Sequence, residues 1–559
     1  MSMVLAYRDL DVDPKVWVLT RVLPVGAGTV LLAGLLMLVL PGIFLSGWAF
    51  GLLVLTILFS TMAAAIWPYV LWERKRHEID DDLHLFVVRI GVLSLSSSTR
   101  SSIFEIASRE ESSKAILREL QKVQELARTW NVSLPRALRI VSKQTPSKRL
   151  GDFLERMAYA IESDEDPKVF FRNEQEAVME EFKSRYSTTL DRIEVVREVY
   201  ISLISVTMFL SVLLVVMSML VGINHYLMSF LIVFVFIIVE MVLWVVINGV
   251  LPREAIWFDP KPHPMDSDFH RKLNFWLSVS VATSGVLAIL LLILTGVAWS
   301  NLLLYLALSS TPLLIPGFII IREERIISRR DEAFGAFIRT VGSTSESKGG
   351  APAVGLKRIR WHDFGALTEQ VRHLYDRLRL RIDSQKAWSL FVKESRSELI
   401  SQFLNTYQEG ISAGGSPKEV SSLISGHFTT LSSLRRRRYL MADNFAAILY
   451  GLTIFISGGM FMIYAVVLEM LDKLGNLEST SGEIENFQSL VLIKDVQGLE
   501  YILLVAIVFV VVLHVFFSAD AARRFKGGHV FSLLLHGPLL LWTAAISAYL
   551  AQWGVGRIL

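Results

Sequence analysis

Long apolar runs constrain this chain more than any other feature of its sequence. A helix needs about 20 predominantly apolar residues to cross the hydrocarbon core of a bilayer. The sequence contains nine candidate spans, at 22–45, 48–70, 199–221, 226–250, 274–297, 300–321, 445–469, 500–518 and 529–552. A hydrophobic content of 52% with only 19% charged residues is typical of a polytopic membrane protein with sizeable polar parts. The predicted fold class is therefore an all-α polytopic membrane protein with about nine transmembrane helices.

Two long polar segments with helical patterns separate the apolar runs. We predict five regions from these boundaries: a tail and helices 1–2 (1–70), a first helical domain (71–198), helices 3–6 (199–321), a second, basic helical domain (322–444), and helices 7–9 with an acidic external loop at 471–498 (445–559).

Basic residues beside the spans predict the orientation in the cell membrane. Arg74–Arg76 follow the second run, Arg322 and Arg325 follow the sixth, and Arg435–Arg438 precede the seventh, whereas the short turns inside the first three pairs of runs contain no Lys or Arg. Lys and Arg near span ends remain on the cytoplasmic side. We therefore expect both polar domains and the N-terminus in the cytoplasm and the C-terminus outside.

A similar sequence pattern occurs once in each polar domain. The two stretches are FLERMAYAIESDEDP (Phe153–Pro167) and FLNTYQEGISAGGSP (Phe403–Pro417). In each, a residue suited to helix capping precedes a proline suited to the first turn of a new helix. Acidic residues upstream also correspond, at Asp80-Asp81 and Asp331-Glu332. We call Asp80–Pro167 the first repeat and Asp331–Pro417 the second repeat, and we interpret them as duplicated helical-bundle domains, although two amphipathic helices can look alike by chance.

Two further stretches bear on the shape of these domains. Residues from Lys168 to Val221 include neither Gly nor Pro, which predicts one continuous helix of roughly 80 Å; a break near Tyr186–Thr189 stays open. The Gly- and Ser-rich stretch Gly342–Gly350 is typical of a loop.

No known pattern for catalysis occurs in the sequence. The chain lacks a Gly-rich phosphate loop ending in Lys-Ser/Thr, a pair of metal-binding histidines on one helix, and a Ser nucleophile elbow. It also has no cysteine, which excludes thiolate nucleophiles and ligands. We predict no catalytic residue, no cofactor, no metal and no enzymatic activity.

Three Glu or His residues lie inside predicted spans and away from the span ends, where such groups are functional candidates by default. They are Glu240 in the fourth span and His514 and His536 in the last two. A proton or ion pathway would need several such groups facing one another, and interhelical hydrogen bonding explains Glu240 at least as well. A transporter thus stays open as an alternative.

The second polar domain carries an excess of positive charge. Between Arg322 and Arg438 there are 21 Lys/Arg against 13 Asp/Glu, a net charge of +8. The basic residues far from any span are Lys357, Arg358, Arg360, Arg372, Arg377, Arg379 and Arg381. An acidic protein and anionic lipid headgroups fit such a surface, while the absence of interleaved aromatic residues disfavours nucleic acid. A merely solvated helix face is the other interpretation.

Two stretches of the first polar domain resemble a known family. IDDDLHLFVVRIGVLSLSSSTRSSIFEIAS (Ile79–Ser108) and PSKRLGDFLERMAYAIESDEDP (Pro146–Pro167) are similar to the first cytoplasmic domain of the archaellum assembly protein J family, the membrane platforms of archaeal flagella. That family belongs with the TadC and type II secretion F proteins. The resemblance is strongest over 71–220, weaker over 330–440, and departs at Gly342–Gly355.

The resemblance implies a non-enzymatic membrane platform that couples a cytoplasmic hexameric ATPase of the secretion type to filament assembly and rotation. Its implied partners are that ATPase, archaellin (prepilin-like) subunits, membrane lipids and a second copy of the platform. The seven basic residues named above then become a hypothetical docking surface for the ATPase. The platform of an archaeal type IV pilus or secretion system is the alternative within this class.

Overall fold

The structure, a computed structural model, describes residues 14–17, 22–24, 47–96, 114–221, 225–252, 254–258, 268–295, 301–346, 356–357, 359, 361–480 and 496–558. Its helices of nine or more residues are α1 (Gly47–Ser94), α2 (Lys114–Arg128), α3 (Leu134–Gln144), α4 (Lys148–Glu162), α5 (Pro167–Val221), α6 (His225–Val250), α7 (Asp268–Thr295), α8 (Leu302–Ser310), α9 (Leu314–Glu346), α10 (Thr368–Arg379), α11 (Ser384–Ser395), α12 (Glu398–Ser412), α13 (Pro417–Thr480), α14 (Val496–Lys526) and α15 (Leu533–Ile558). Among these described residues the β contact is a single isolated bridge, between Trp257 and Ser397. The predicted all-α class is confirmed.

Seven helical segments in the described part of the chain are long and apolar enough to cross a membrane. They overlap the predicted third to ninth spans, so the chain is a multi-pass membrane protein. The predicted sixth span, 300–321, comprises α8, a short 3-10 turn at Thr311–Leu313, and the first eight residues of α9. The predicted second span, 48–70, lies in the first half of α1. The predicted first span, 22–45, lies outside the described residues except for its first three.

Two of these helices are unusually long, and each begins at the proline that ends a repeat. Helix α5 is continuous for 55 residues, which confirms the prediction of an unbroken helix through Tyr186–Thr189. At 1.5 Å per residue it is roughly 80 Å long. Helix α13 extends for 64 residues. Each repeat therefore leads directly into a helix that continues as an apolar span.

The two repeats share an unusual helix cap. Ser147 Oγ donates to Asp80 Oδ1 at 2.5 Å, and Ser397 Oγ donates to Asp331 Oδ1 at 2.5 Å. Each serine oxygen also accepts the backbone N–H three residues later, at 3.1 Å in both repeats. One serine in each repeat thus caps a helix, α4 or α12, and satisfies a buried carboxylate.

The turn that closes each repeat is also the same. Asp164 and Gly414 have φ values of 56° and 88°, and the next residue donates its N–H to the carbonyl five residues earlier, at 3.0 and 2.9 Å. This is the bond that closes a helix C-terminus when one residue adopts the left-handed conformation. Asp166 and Ser416 then cap α5 and α13, with N–H donors at 2.9 and 3.4 Å. So many equivalent contacts favour duplication over chance similarity.

The chain divides into two compact units, Met1–Phe182 with Thr406–Val420, and Lys183–Asn405 with Ser421–Leu559. The first unit therefore includes the closing turn of the second repeat. Within it, Arg89 donates two hydrogen bonds to Glu409, at 2.6 and 2.7 Å. A Cβ on Gly410 would lie 2.3 Å from a methyl carbon of Val92, so only glycine allows this close approach.

The predicted loop at Gly342–Gly350 is wrong over its first five residues. Helix α9 continues to Glu346, because Val341 and Ser345 are fully buried and packing outweighs the weak helix propensity of Gly and Ser. The remaining residues of the stretch, 347–350, lie outside the described residues.

Candidate functional site

Two of the three membrane-embedded ionisable residues meet inside the second unit. Glu240 is on α6, His514 is on α14, and their side chains are 2.7 Å apart between Oε1 and Nδ1. Ser518, one turn after His514, and Tyr200 of α5 complete the cluster. All four side chains are at most 1% exposed. We call Tyr200, Glu240, His514 and Ser518 the polar ring.

The hydrogen bonds of the polar ring form a closed circuit. His514 Nε2 lies 3.2 Å from Ser518 Oγ, which lies 3.2 Å from the Tyr200 hydroxyl. That hydroxyl is 3.4 Å from Glu240 Oε2. An imidazolium–carboxylate pair uses every polar hydrogen: His514 donates to Glu240 and Ser518, Ser518 donates to Tyr200, and Tyr200 donates to Glu240. The circuit then has no net charge, as burial in an apolar environment requires.

Polar contacts at two further levels join α6 to α14. Trp244 Nε1 donates to Asp520 Oδ2 at 2.8 Å, and one turn later Arg524 donates to the Asn248 side-chain oxygen. Asp520 also accepts from Arg524. Together with Glu240 and His514, these contacts make the α6–α14 pair polar over three successive turns.

His536, the third candidate, lies elsewhere. Its Nδ1 is 3.2 Å from the hydroxyl of Tyr450, so it joins α15 to α13. The structure thus brings together Glu240 and His514 and places His536 in a separate pair. Sequence reasoning missed Tyr200 and Ser518, although both are polar residues at the ends of predicted spans.

The basic residues of the second repeat divide into engaged and exposed groups. Arg377 forms an ion pair with Glu394 of α11, whereas Arg372, Arg379 and Arg381 are exposed. Arg372 and Arg379 are seven residues apart on α10, which places them on one face about 10.5 Å apart along the axis. Lys357 is also exposed; Arg358 and Arg360 lie outside the described residues.

The four arginines before the seventh span also divide into two groups. Arg435 and Arg438 point inward: both form ion pairs with Glu254, at 3.1 and 3.7 Å, and Arg438 Nε donates to the carbonyl of Phe525 at 2.9 Å. Arg436 and Arg437 are exposed. Two of the four arginines therefore stabilise the fold, and the other two contribute positive charge to the surface.

The carboxylate that joins the second repeat to this cluster is electrostatically unusual. Asp331 lies ten residues beyond the predicted sixth span, and its Oδ2 is 4.0 Å from Arg435 Nη1. Burial raises the pKa of Asp331 to about 6, against the opposing effects of Arg435 and the Ser397 hydroxyl. The equivalent Asp80 has a closer cation, Arg149 Nη1 at 2.9 Å.

Comparison with known proteins shows which sequences this chain is similar to. Residues 86–215 match the family described as type II secretion system (T2SS), protein F. Flagella accessory protein J of Methanocaldococcus jannaschii is 31% identical over 571 aligned positions, which cover 100% of this chain and 99% of that protein. Flagella accessory protein J of Methanococcus voltae is 29% identical over 568 positions, with 98% of each chain covered. No solved structure gives a significant match.

Proposed function

The chain belongs to the flagella accessory protein J family, and on that premise we propose that it couples a cytoplasmic hexameric ATPase to assembly and rotation of the archaellum. As a platform protein of the archaellum and type II secretion class, it would receive movement from the ATPase and pass it to archaellin subunits at the filament base. We further propose that it is not itself an enzyme, because its sequence has no phosphate-binding loop.

The observation that carries this proposal is the pair of long helices. Helices α5 and α13 each begin at the closing turn of a repeat and continue without interruption into an apolar span. A continuous helix is a stiff element, so a displacement at its polar end moves its apolar end as well. A protein built in this way can transmit a movement that another protein generates.

The orientation is part of the same proposal. With regions 71–198 and 322–444 in the cytoplasm, the N-terminus inside and the C-terminus outside, both repeats are accessible to a cytoplasmic ATPase. The distribution of Lys and Arg supports this orientation. The acidic segment 471–498 would then be external. It is not a loop throughout, as the sequence predicts, because 471–480 continue helix α13 and 496–498 begin helix α14; residues 481–495 lie outside the described residues.

We propose the basic surface of the second repeat as the site that docks the ATPase. The seven basic residues that the sequence suggests for this surface are Lys357, Arg358, Arg360, Arg372, Arg377, Arg379 and Arg381. Arg377 is already paired with Glu394, so Arg372, Arg379 and Arg381 are the strongest candidates for contact with acidic groups. Lipid headgroups and a second copy of the platform remain proposed partners for other surfaces.

A charge-reversal experiment tests the docking. The full-length protein in nanodiscs is used to capture a secretion-type ATPase of the archaellum motor from the same organism, at 0.1 M and 1 M salt. Exposed ion pairs contribute only about 0.2–1 kcal/mol each, so the variant reverses all three: Arg372→Glu, Arg379→Glu and Arg381→Glu. We expect capture to fall markedly, and the native protein to lose capture at high salt, where the Debye length shrinks from about 10 Å to about 3 Å.

The matched control has the same change in net charge on the first repeat. It combines Arg118→Glu, Arg136→Glu and Lys143→Glu, three exposed positions on α2 and α3. Equal capture by both variants would contradict docking on the second repeat. Capture by an archaeal pilus or secretion ATPase instead would favour the alternative platform within the class.

A membrane transporter is the second candidate, and the contact between Glu240 and His514 is the observation in its favour. The polar ring, however, is closed on itself, and His536 forms a different pair. Proton or ion flux into liposomes that contain the purified protein, abolished by Glu240→Gln, would support the transporter.

A further inference from the structure

We propose that the polar ring is a positioning device that fixes the register of helix α5 against α6 and α14. The inference rests on the proposed function, in which α5 carries movement through the membrane. Tyr200 is the contribution of α5 to the ring, and its single hydroxyl contacts both Ser518 and Glu240, at 3.2 and 3.4 Å.

The other members of the ring belong to a pair of helices that is already joined. Glu240 contacts His514, and the Trp244–Asp520 contact lies on the next turn of α6. Helix α5 takes no part in these contacts. The α6–α14 pair can therefore act as the fixed side, and the hydroxyl of Tyr200 is the group that holds α5 to it.

The remainder of this face of α5 is poorly suited to defining a register. Ile204 and Val215 are buried apolar side chains, whose contacts change little when one methyl group replaces another, and Met208 lies against Gly459 of α13. Thr207 and Ser211 donate to carbonyls of their own helix. A polar contact in apolar surroundings is the best-attested way to select one register among several.

The hydrogen bonds of Tyr200 limit how far α5 can move before the polar ring is broken. A shift of α5 by one residue is about 1.5 Å, more than the distance range over which a hydrogen bond remains strong. After any such shift, the Tyr200 hydroxyl would lose its two hydrogen-bond partners and lie among apolar side chains. The ring therefore resists small displacements and releases α5 only when the applied force is sufficient.

Cysteine cross-linking reads the register directly, because the native chain contains no cysteine. Helix α13 serves as the reference, because Arg438 of α13 donates to the Phe525 carbonyl of α14 at 2.9 Å and so holds the two helices together. Met208→Cys on α5 is combined in turn with Ile456→Cys, Gly459→Cys or Ile463→Cys on α13. The 208–459 pair reports the native register, since a Cβ on Gly459 would lie 1.9 Å from Met208 Cε. The other two pairs report shifts of about one turn in either direction.

The test variant is Tyr200→Phe, which removes the hydroxyl and keeps the aromatic side chain. Its ring centroid lies 5.6 Å from that of Phe445. In nanodiscs, the ratio of shifted to native cross-links should rise roughly three- to tenfold, as expected for the loss of one or two buried hydrogen bonds. Tyr450→Phe is the matched control: it removes a hydroxyl of the reference helix α13, which contacts His536 of α15 and not α5. Its cross-link ratio should equal that of the native chain.

An unchanged ratio in Tyr200→Phe would overturn the proposal, as would an equal rise in Tyr450→Phe. If Tyr200→Phe does not insert, Ser518→Ala, which removes one of the two partners of the Tyr200 hydroxyl, gives the same readout. The experiment contains no ATPase, so its outcome is independent of the proposed function. A shifted register with normal filament assembly would leave the positioning role intact and refute the mechanical function of α5.

Discussion

Replacing Ser397 with alanine should weaken the second repeat more than Ser147→Ala weakens the first. Each serine caps a helix and donates to a buried carboxylate, so alanine removes both interactions. The two serines are matched in position and in the hydrogen bonds that they make. They differ in the cation beside the carboxylate.

The expected magnitudes follow from that difference. Loss of a serine N-cap costs about 1 kcal/mol, and loss of a donor to a buried acceptor costs about 1–3 kcal/mol more. Asp80 keeps Arg149 at 2.9 Å, which compensates for much of the second cost. The ion-pair partner of Asp331, Arg435, is farther away, at 4.0 Å. We therefore expect about 1–2 kcal/mol for Ser147→Ala and about 2–4 kcal/mol for Ser397→Ala.

Protonation limits the larger cost. Burial already raises the pKa of Asp331 to about 6, although the hydrogen bond from Ser397 opposes this rise. Removal of the Ser397 hydroxyl will therefore raise the pKa of Asp331 further. The carboxyl then takes up a proton instead of remaining charged without its donor. The effect of Ser397→Ala should consequently be smaller at pH 5 than at pH 8.

Hydrogen exchange in the full-length protein measures both sites at once. Amides in the first turn of α12 should exchange roughly 30-fold or more faster in Ser397→Ala, and those of α4 only about 5- to 30-fold faster in Ser147→Ala. Adding Asp331→Asn to Ser397→Ala should restore much of the protection, because it removes the buried charge. Equal effects in the two repeats, or no recovery in the double variant, would refute the reasoning.

Further predictions concern packing, pH, topology and activity. Gly317→Ala should disrupt the contact of α9 with α15 and lower the melting temperature, because its Cβ would lie 2.5 Å from a backbone nitrogen of α15, whereas Gly285→Ala, with nothing within 4 Å, should be tolerated. The folded-state pKa of Asp331 is raised from 3.8 to about 6, so the folded protein favours the protonated carboxyl. The stability that this protonation contributes is fully present below pH 4 and is lost as the pH rises through 6. Hydrogen exchange in the second repeat, corrected for intrinsic rates, should show that the free energy of unfolding falls by up to about 3 kcal/mol over this pH range. Asp331→Asn should abolish this pH dependence. A reporter fused after Leu559 should read as extracytoplasmic and one inserted after Glu346 as cytoplasmic; the opposite result at either place contradicts the proposed orientation. The purified protein alone should show no ATP turnover above that of a mock preparation, and a measurable rate would refute the non-enzymatic proposal.

Features that depend on neighbouring residues were predictable from the sequence. The spans from 199 onward follow from apolar length, and the caps at Asp166 and Ser416 follow from residue type beside a proline. The unbroken helix α5 follows from the absence of Gly and Pro. Each of these is local, so no knowledge of helix packing was required.

The polar ring was not predictable for the opposite reason. Glu240 and His514 are 274 residues apart, and only the packing of α6 on α14 brings them together. A tyrosine at a span end, such as Tyr200, is ordinarily an interfacial anchor, so its position gave no signal of a buried contact. The arginine run was ambiguous as well, because the helical period turns Arg435 and Arg438 inward and leaves Arg436 and Arg437 outside.

The closing turn of the second repeat has a consequence for biogenesis. Its Glu409 binds Arg89 within the first unit, yet it follows Arg89 by 320 positions in the chain. At a synthesis rate of about 5–20 residues per second, the ribosome adds Glu409 roughly 16–64 s after Arg89. The first repeat can fold early, but its unit is complete only after the intervening membrane helices have been made. A chain that stops before residue 409 thus lacks the partner of Arg89 and leaves this unit unfinished.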